Sequence, residues 1–299
     1  MDNRKSLIFA LIITAVIFFV ELFGGLISNS LALTSDAGHV LTDAMALTMA
    51  LLAAVFAARP SNKERTYGFY RLEILSSLLN GSLLTLISRY IFYQAYQRFI
   101  NPSEVQSVLM LAIAFIGLLA NALAALILSR SSRENLNVRG AFLHVLSDLG
   151  ASFGVILGGL IIYFTGWYVI DPVLGILIGI LILRGAVGLV SESVNILLEA
   201  APAEIKVEDV AATIKEVKGV NSIHDLHIWS ITSGLNSISA HIIINDAETE
   251  RASEIIEEIN SKLKAEYKIS HSTFQTECES CPEGLICKME PLEKEEHEH

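Results

Sequence analysis

Apolar residues run almost unbroken through six stretches, at 6–27, 32–57, 70–95, 107–129, 140–164 and 171–195. A helix crossing ~30 Å of hydrocarbon needs ~20 apolar residues, and each stretch meets that length. The pattern predicts six transmembrane helices with short connections. After Pro202 it changes. Val207, Val210, Ala211, Ile214 and Val217 fall at helical spacing across 204–217. Residues 223–231 and 235–244 are β-rich runs joined across Thr232-Ser233-Gly234, which predicts a hairpin. In the second run Ile238, Ala240, Ile242 and Ile244 alternate onto one face. A helix over 249–266 and a strand over 269–277 complete the order αββαβ, a small α+β domain with helices on one face of a sheet. No periodicity is visible beyond Pro282. The chain therefore reads as a transmembrane domain (1–202), a cytoplasmic α+β domain (203–281) and a disordered acidic tail (282–299).

Composition agrees with a membrane protein. Apolar residues make up 52% and charged residues 18%, too apolar for a soluble chain of this size. Residues 1–202 carry 12 Lys and Arg against 12 Asp and Glu, so the remaining 9 bases and 20 acids supply the whole formal charge of −11. An acidic appendage argues against nucleic acid as a partner, because phosphate contacts need cations. Arg4 and Lys5 precede the first stretch. Arg59, Lys63, Arg65 and Arg71 surround the second connection, and Arg130, Arg133 and Arg139 the fourth. The other connections hold only Arg98. By the positive-inside rule both termini face the cytoplasm. The first apolar run exceeds twenty residues and lacks a small-residue cleavage site, so it reads as a span rather than a cleavable signal. The three cysteines, Cys278, Cys281 and Cys287, lie near the C-terminus, which argues against a disulfide framework.

Two spans carry one spacing: His39-x-x-x-Asp43 in the second and His144-x-x-x-Asp148 in the fifth. Residues four apart share a helix face. Each pair is a two-toothed claw, and two facing claws give two nitrogens and two oxygens, a tetrahedral zinc-type set. A lone histidine in a span is commonly a packing residue. A carboxylate at the helix centre costs about 2.5–3.5 kcal/mol on insertion scales, and two copies of one motif argue against accident. Two aspartates and two neutral histidines sum to −2, which a dication cancels; without it, protons on the histidines restore neutrality. Exchange of a metal dication for protons follows as a hypothesis. Imidazole with carboxylate suits zinc, cobalt or cadmium, whereas an all-oxygen set suits manganese or magnesium. Asp36 lies three residues before His39. It reads either as a relay carboxylate or as an acid favoured at a helix N-terminus by the macrodipole.

At these residues the chain resembles the cation diffusion facilitator family, in its zinc-transporter branch. The motifs are Ser28-Asn29-Ser30-Leu31-Ala32-Leu33 with Asp36, His39 and Asp43; Thr66-Tyr67-Gly68-Phe69-Tyr70-Arg71-Leu72-Glu73; His144 and Asp148; Leu198-Glu199-Ala200-Ala201-Pro202; and His224-Asp225-Leu226-His227-Ile228-Trp229. The resemblance implies a homodimer in membrane lipid and six spans. It also implies a ferredoxin-like, metallochaperone-like cytoplasmic domain, and zinc export by proton antiport through alternating access at His39, Asp43, His144 and Asp148. It implies cytoplasmic zinc at His224, His241 and His271, with Glu277 as a further ligand. Arg71 and Glu199 resemble residues that form an inter-subunit charge contact in some relatives; the plainer reading is two solvated charges at helix ends.

Some relatives carry a metal site between spans two and three, and many eukaryotic ones a histidine-rich insert between spans four and five. Residues 59–69 hold no histidine and the 130–139 connection is short. No metal site is expected in the former, and a prokaryotic plasma membrane is favoured. Cys278, Cys281 and Cys287 read either as zinc ligands or as free thiols. A metal-gated channel and an intramembrane metallohydrolase are the alternatives. Tight four-ligand binding slows conduction, and catalytic zinc keeps an open position and a base; no HExxH motif is present.

Overall fold

The computed structural model describes residues 3–57, 61–131, 136–245, 250–277 and 285–286. Within these, the side chains of 3–11, 13, 43, 46–47, 49–57, 128–131 and 136–144 lie outside the description. The chain forms two compact units, Met1–Ala58 with Ser76–Ser191, and Arg59–Leu75 with Glu192–His299.

The first unit is built from six long helices: α1 (Asn3–Ser28), α2 (Leu31–Ala57), α3 (Arg71–Ile100), α4 (Ser107–Ser131), α5 (Leu136–Thr165) and α6 (Ile170–Leu197). Each coincides with an apolar stretch to within a few residues at its ends. Four described segments are long and apolar enough to cross a membrane: Arg71–Ile100, Ser107–Ile127, Val145–Thr165 and Ile170–Leu197; α1 shows a shorter apolar segment, Thr14–Ser28. The polarity of this unit runs opposite to that of a water-soluble bundle. Phe19, Phe23, Phe115, Leu119 and Leu181 are exposed, whereas Glu21, Ser35, Asp36, Asn121 and Ser152 are buried. Large apolar side chains outside and small or polar ones between helices is the arrangement that a hydrocarbon solvent selects.

The turn from α1 into α2 is fixed by one carboxylate. α1 ends with Ser30 N–H bonding to Gly25 C=O (2.9 Å) and Asn29 N–H to Leu26 C=O (3.4 Å), with Asn29 left-handed at φ 54°, a Schellman end in a conformation asparagine tolerates. The first N–H groups of α2 lack partners within their own helix. Asp171 of α6 supplies them. It accepts from Ser30 Oγ (2.6 Å), Leu31 N (2.7 Å) and Ala32 N (3.1 Å). Arg98 of α3 donates to the same carboxylate (2.9 Å) and to the Asn29 carbonyl (2.6 Å). Asp171 is fully buried, and the Arg98 side chain is 16% exposed. Three helices thus meet on one buried ion pair. α2 itself has no acid in its first turn, so the macrodipole reading of Asp36 fails: Asp36 sits a turn too deep, and an acid from another helix fills that role.

The second unit contains α7 (Val207–Lys215), β1 (Val220–Thr232), β2 (Leu235–Ile244), α8 (Ala252–Tyr267) and β3 (Ile269–Glu277), in the predicted order αββαβ. β1 and β2 pair antiparallel and β2 and β3 parallel, in the order β1-β2-β3. A parallel pair needs a crossover, and α8 is that crossover. Val210 and Ile214 of α7 and Ile255, Ile259 and Leu263 of α8 join Ile238, Ala240 and Ile242 of β2 in one apolar core, so the helices cover the predicted face. The expected disorder from residue 282 does not extend to Leu285. Its carbonyl accepts from Leu226 N–H (2.9 Å) and its side chain packs on that core; a single leucine in an acidic tail found an open β1 donor.

The segment Arg59–Leu75, which includes the first turn of α3, also belongs to this unit. Thr232 Oγ1 donates to Glu73 (2.6 Å), and the Tyr67 ring stands edge-on to His271 at 5.7 Å. Glu199, left-handed at φ 58°, accepts from Arg71 at 2.8 Å. Within one chain this pair is already made, where the resemblance implied a contact between subunits; both side chains are substantially exposed.

The two arginine–carboxylate pairs should therefore differ in worth. Arg98→Ala leaves a buried charge uncompensated and should lower stability by about 3–5 kcal/mol. Arg71→Ala should cost no more than about 1 kcal/mol. Unfolding of the detergent-solubilised protein measures both, and equal losses would contradict the clamp.

Candidate metal centre

His39 of α2 and Asp148 of α5, 109 residues apart in sequence, meet: His39 Nε2 lies 3.5 Å from Asp148 Oδ1. α2 and α5 therefore turn one member of each claw toward the other. The Asp148 side chain is 11% exposed and that of His39 29%, so the pair is sheltered yet reachable. Asp43 is one turn along α2 from His39, and His144 one turn along α5 from Asp148; their side chains lie outside the described residues. Asp36 is buried on α2, on the side of His39 nearer the Asp171 clamp.

A second cluster forms on the sheet. His224 of β1 and His241 of β2 are a cross-strand pair, their rings 5.1 Å apart. Gln275 of β3 pairs with His241, so Glu277, two residues on, shares that face. His224 Nε2 is 3.3 Å and His241 Nδ1 3.0 Å from the Glu277 carboxylate. Each of the three offers a ligand atom within 4.8 Å of the others. A β-bulge between His224 and His227, with Asp225 left-handed at φ 50°, makes the cluster possible. The extra residue keeps Ile223, Leu226 and Ile228 in the core while His224 and His227 both stand on the opposite face. Asp225 then reaches His227 (3.1 Å) and His241 (3.7 Å).

The cluster fits a metal ion by its chemistry. Two imidazoles and a carboxylate are zinc-type ligands, and the buried Nδ1 of His224 has no hydrogen-bond partner. The nitrogen of His224 that faces the Glu277 carboxylate is Nε2, and one imidazole offers a single ion only one of its two nitrogens, so the fit rests on the donor set.

Comparison with known proteins decides the family. The cation efflux transmembrane domain matches residues 7–198, and the cation efflux protein cytoplasmic domain residues 202–279. The chain is 42% identical to the cadmium, cobalt and zinc/H(+)-K(+) antiporter of Bacillus subtilis, over 99% of this chain and 97% of that one. It is 41% identical to the metal cation efflux system protein CzcD of Cupriavidus metallidurans (94% and 89%). It is 39% identical to the zinc transporter ZitB of Escherichia coli (100% and 95%). The chain belongs to the cation diffusion facilitator family. It is an integral membrane protein of metal cation efflux and not an enzyme, which removes the metallohydrolase alternative.

For this cation efflux protein, His224, His241 and Glu277 come together on one sheet face. His271 does not join them. It pairs with Ser237, four residues before His241 on β2, and is exposed against Tyr67. Two residues per 6–7 Å of strand leave it too far along β3. Cys278, Cys281 and Cys287 lie outside the described residues. Sequence reasoning missed Asp225, whose bulge no local pattern announces, and Asp171 and Arg98, whose pairing is long-range. Glu21 was visible as a lone acid within an apolar run and was passed over.

In a calorimetric zinc titration of the full chain, His241→Ala and Glu277→Ala should each lose one metal equivalent per chain, while His271→Ala should titrate like the parent. Loss of that equivalent in His271→Ala alone would move the centre away from this cluster.

Proposed function

We propose that this protein exports zinc, with cadmium and cobalt as related substrates, from the cytoplasm in exchange for protons. The transport site is His39, Asp43, His144 and Asp148, within six spans, in a homodimer of the bacterial plasma membrane with both termini cytoplasmic. The His39–Asp148 approach across α2 and α5 carries the reading, because it turns two separate motifs toward one shared ion. The names borne by the relatives from B. subtilis and E. coli support the choice of cargo and of counter-ion.

Electrostatics give the coupling. The site's two carboxylates suit a dication or two protons but not emptiness, since an isolated ionised group in hydrocarbon is strongly disfavoured. Ligands must shed protons to bind metal, so affinity rises as pH rises through the histidine range. Mixed nitrogen and oxygen donors without thiolate hold zinc while still permitting release. Alternating access then requires α2 and α5 to present this site to one side at a time, with the α2 N-terminus held by the Asp171 clamp. His224, His241 and Glu277 bind a second zinc in a ferredoxin-like cytoplasmic domain, and Asp36 serves as a relay carboxylate beside the path.

Zinc uptake into proteoliposomes under an imposed pH gradient tests the proposal. Asp43→Ala and Asp148→Ala should fold yet lose transport by more than the roughly 10–100-fold typical of removing a group that only supports a metal ligand. Undiminished uptake in either variant removes that carboxylate from the mechanism, and uptake indifferent to the gradient removes the proton.

A further inference from the structure

Glu21 is the sole acid of α1. It is 1% exposed, and its Oε2 has no hydrogen-bond partner. Its other oxygen, Oε1, lies 2.6 Å from where a Cβ would stand on Gly117 of α4, with Ser152 Oγ of α5 3.8 Å from the same point. A side chain at position 117 would force the carboxyl to shift, so the glycine there leaves room for it in its present place. Ser152 in turn accepts a long hydrogen bond from Asn121 (3.4 Å), both buried. Glu21 therefore ends at the junction of α1, α4 and α5, against Gly117 and on the side of α4 where Ser152 and Asn121 meet.

The charges around it are of its own sign. Asp36 of α2 and Asp148 of α5 are its charged neighbours, and His39 is the imidazole paired to Asp148. α4 faces it with Gly117 and Asn121 and carries no ionisable group before Arg130. Among the described side chains of α1, α2, α4 and α5 there is no lysine or arginine. Asp171, another deeply buried acid of this unit, has Arg98; among the described side chains of α1, α2, α4 and α5 Glu21 has no such permanent cation. A dication at the transport site balances Asp43 and Asp148, which leaves Glu21 and Asp36 over, and of the two it is Glu21 that has an orphaned buried oxygen. A proton is the compensating charge that the carboxyl can take up without any further ligand.

We propose that Glu21 is a proton carrier of the exchange. It acts on the transport site through charge rather than as a ligand, and the proposal rests on the antiport reading above. With no dication present the carboxyl holds a proton. When the metal's two positive charges enter, the Glu21 O–H bond breaks, its electron pair stays on the carboxylate, and the proton leaves past Ser152 and Asn121 to water. When the metal departs, the carboxylate takes a proton back. Glu21 thereby adds a proton to the number set by the two histidines.

Protons released per zinc can be counted by calorimetry of the detergent-solubilised full chain at saturating zinc, in buffers of different ionisation enthalpy. Glu21→Gln should release about one proton fewer than the parent, and Glu21→Asp, which keeps an ionisable group, should restore it. The cytoplasmic centre contributes equally to all three and cancels. Equal release by parent and Glu21→Gln overturns the proposal, as does an equal fall in both variants, which marks a packing role. The infrared difference spectrum of the parent on zinc addition needs no variant: loss of a protonated-carboxyl band is expected, and its absence overturns the proposal. If zinc uptake by the parent in proteoliposomes ignores the pH gradient, the antiport reading fails first; if the parent responds while the proton count is insensitive to Glu21, only the role of Glu21 fails.

Discussion

An ionised side chain between membrane helices must find a counter-charge, and this constraint organises the six-helix unit. Asp171 meets it permanently. One guanidinium, two backbone N–H groups and a serine hydroxyl saturate its carboxylate, and the result is a fixed joint of α2, α3 and α6. The group around His39 and Asp148 meets it differently. Asp36 and Asp148 are the acidic neighbours of Glu21, an imidazole stands beside Asp148, and the described side chains of α1, α2, α4 and α5 include no lysine or arginine. The same dielectric penalty thus yields a rigid clamp where the partner is covalently part of the protein, and on the proposed reading an exchangeable ion site where it is not. Because the clamp sits at the N-terminus of the helix that carries His39, the rigid element positions the exchangeable one.

The soluble unit solves a related problem with a sheet. One face must be apolar to bury α7 and α8, and the other carries the cluster of His224, His241 and Glu277. Strict alternation along β1 would send either the isoleucines or the histidines to the wrong side beyond residue 224. The bulge at Asp225 resets the phase, at the expense of a left-handed residue. It leaves two imidazoles and a carboxylate clustered above a well-packed core, with Leu285 closing the edge donor of Leu226.

Much of this was legible before any coordinates. The six apolar stretches, the change of pattern after Pro202 and the αββαβ order follow from length and periodicity, which are local properties of the chain. The paired His-x-x-x-Asp spacing was equally readable, because a helix converts a four-residue interval into a shared face. The pairing of Arg71 with Glu199 was visible as a resemblance, but its being made within one chain was not.

What the sequence by itself determined, then, was which residues are helical, which strands alternate, and which side chains are too polar for their surroundings. Tertiary structure decided who answers them. Arg98 reaches Asp171 across 73 residues, His271 falls away from His224 because of strand register, and Glu21 is left among acids at a helix junction. Periodicity is encoded over a few residues, whereas charge compensation in a low dielectric depends on distances of a few ångströms between segments far apart in the chain, and only the packed fold sets those distances.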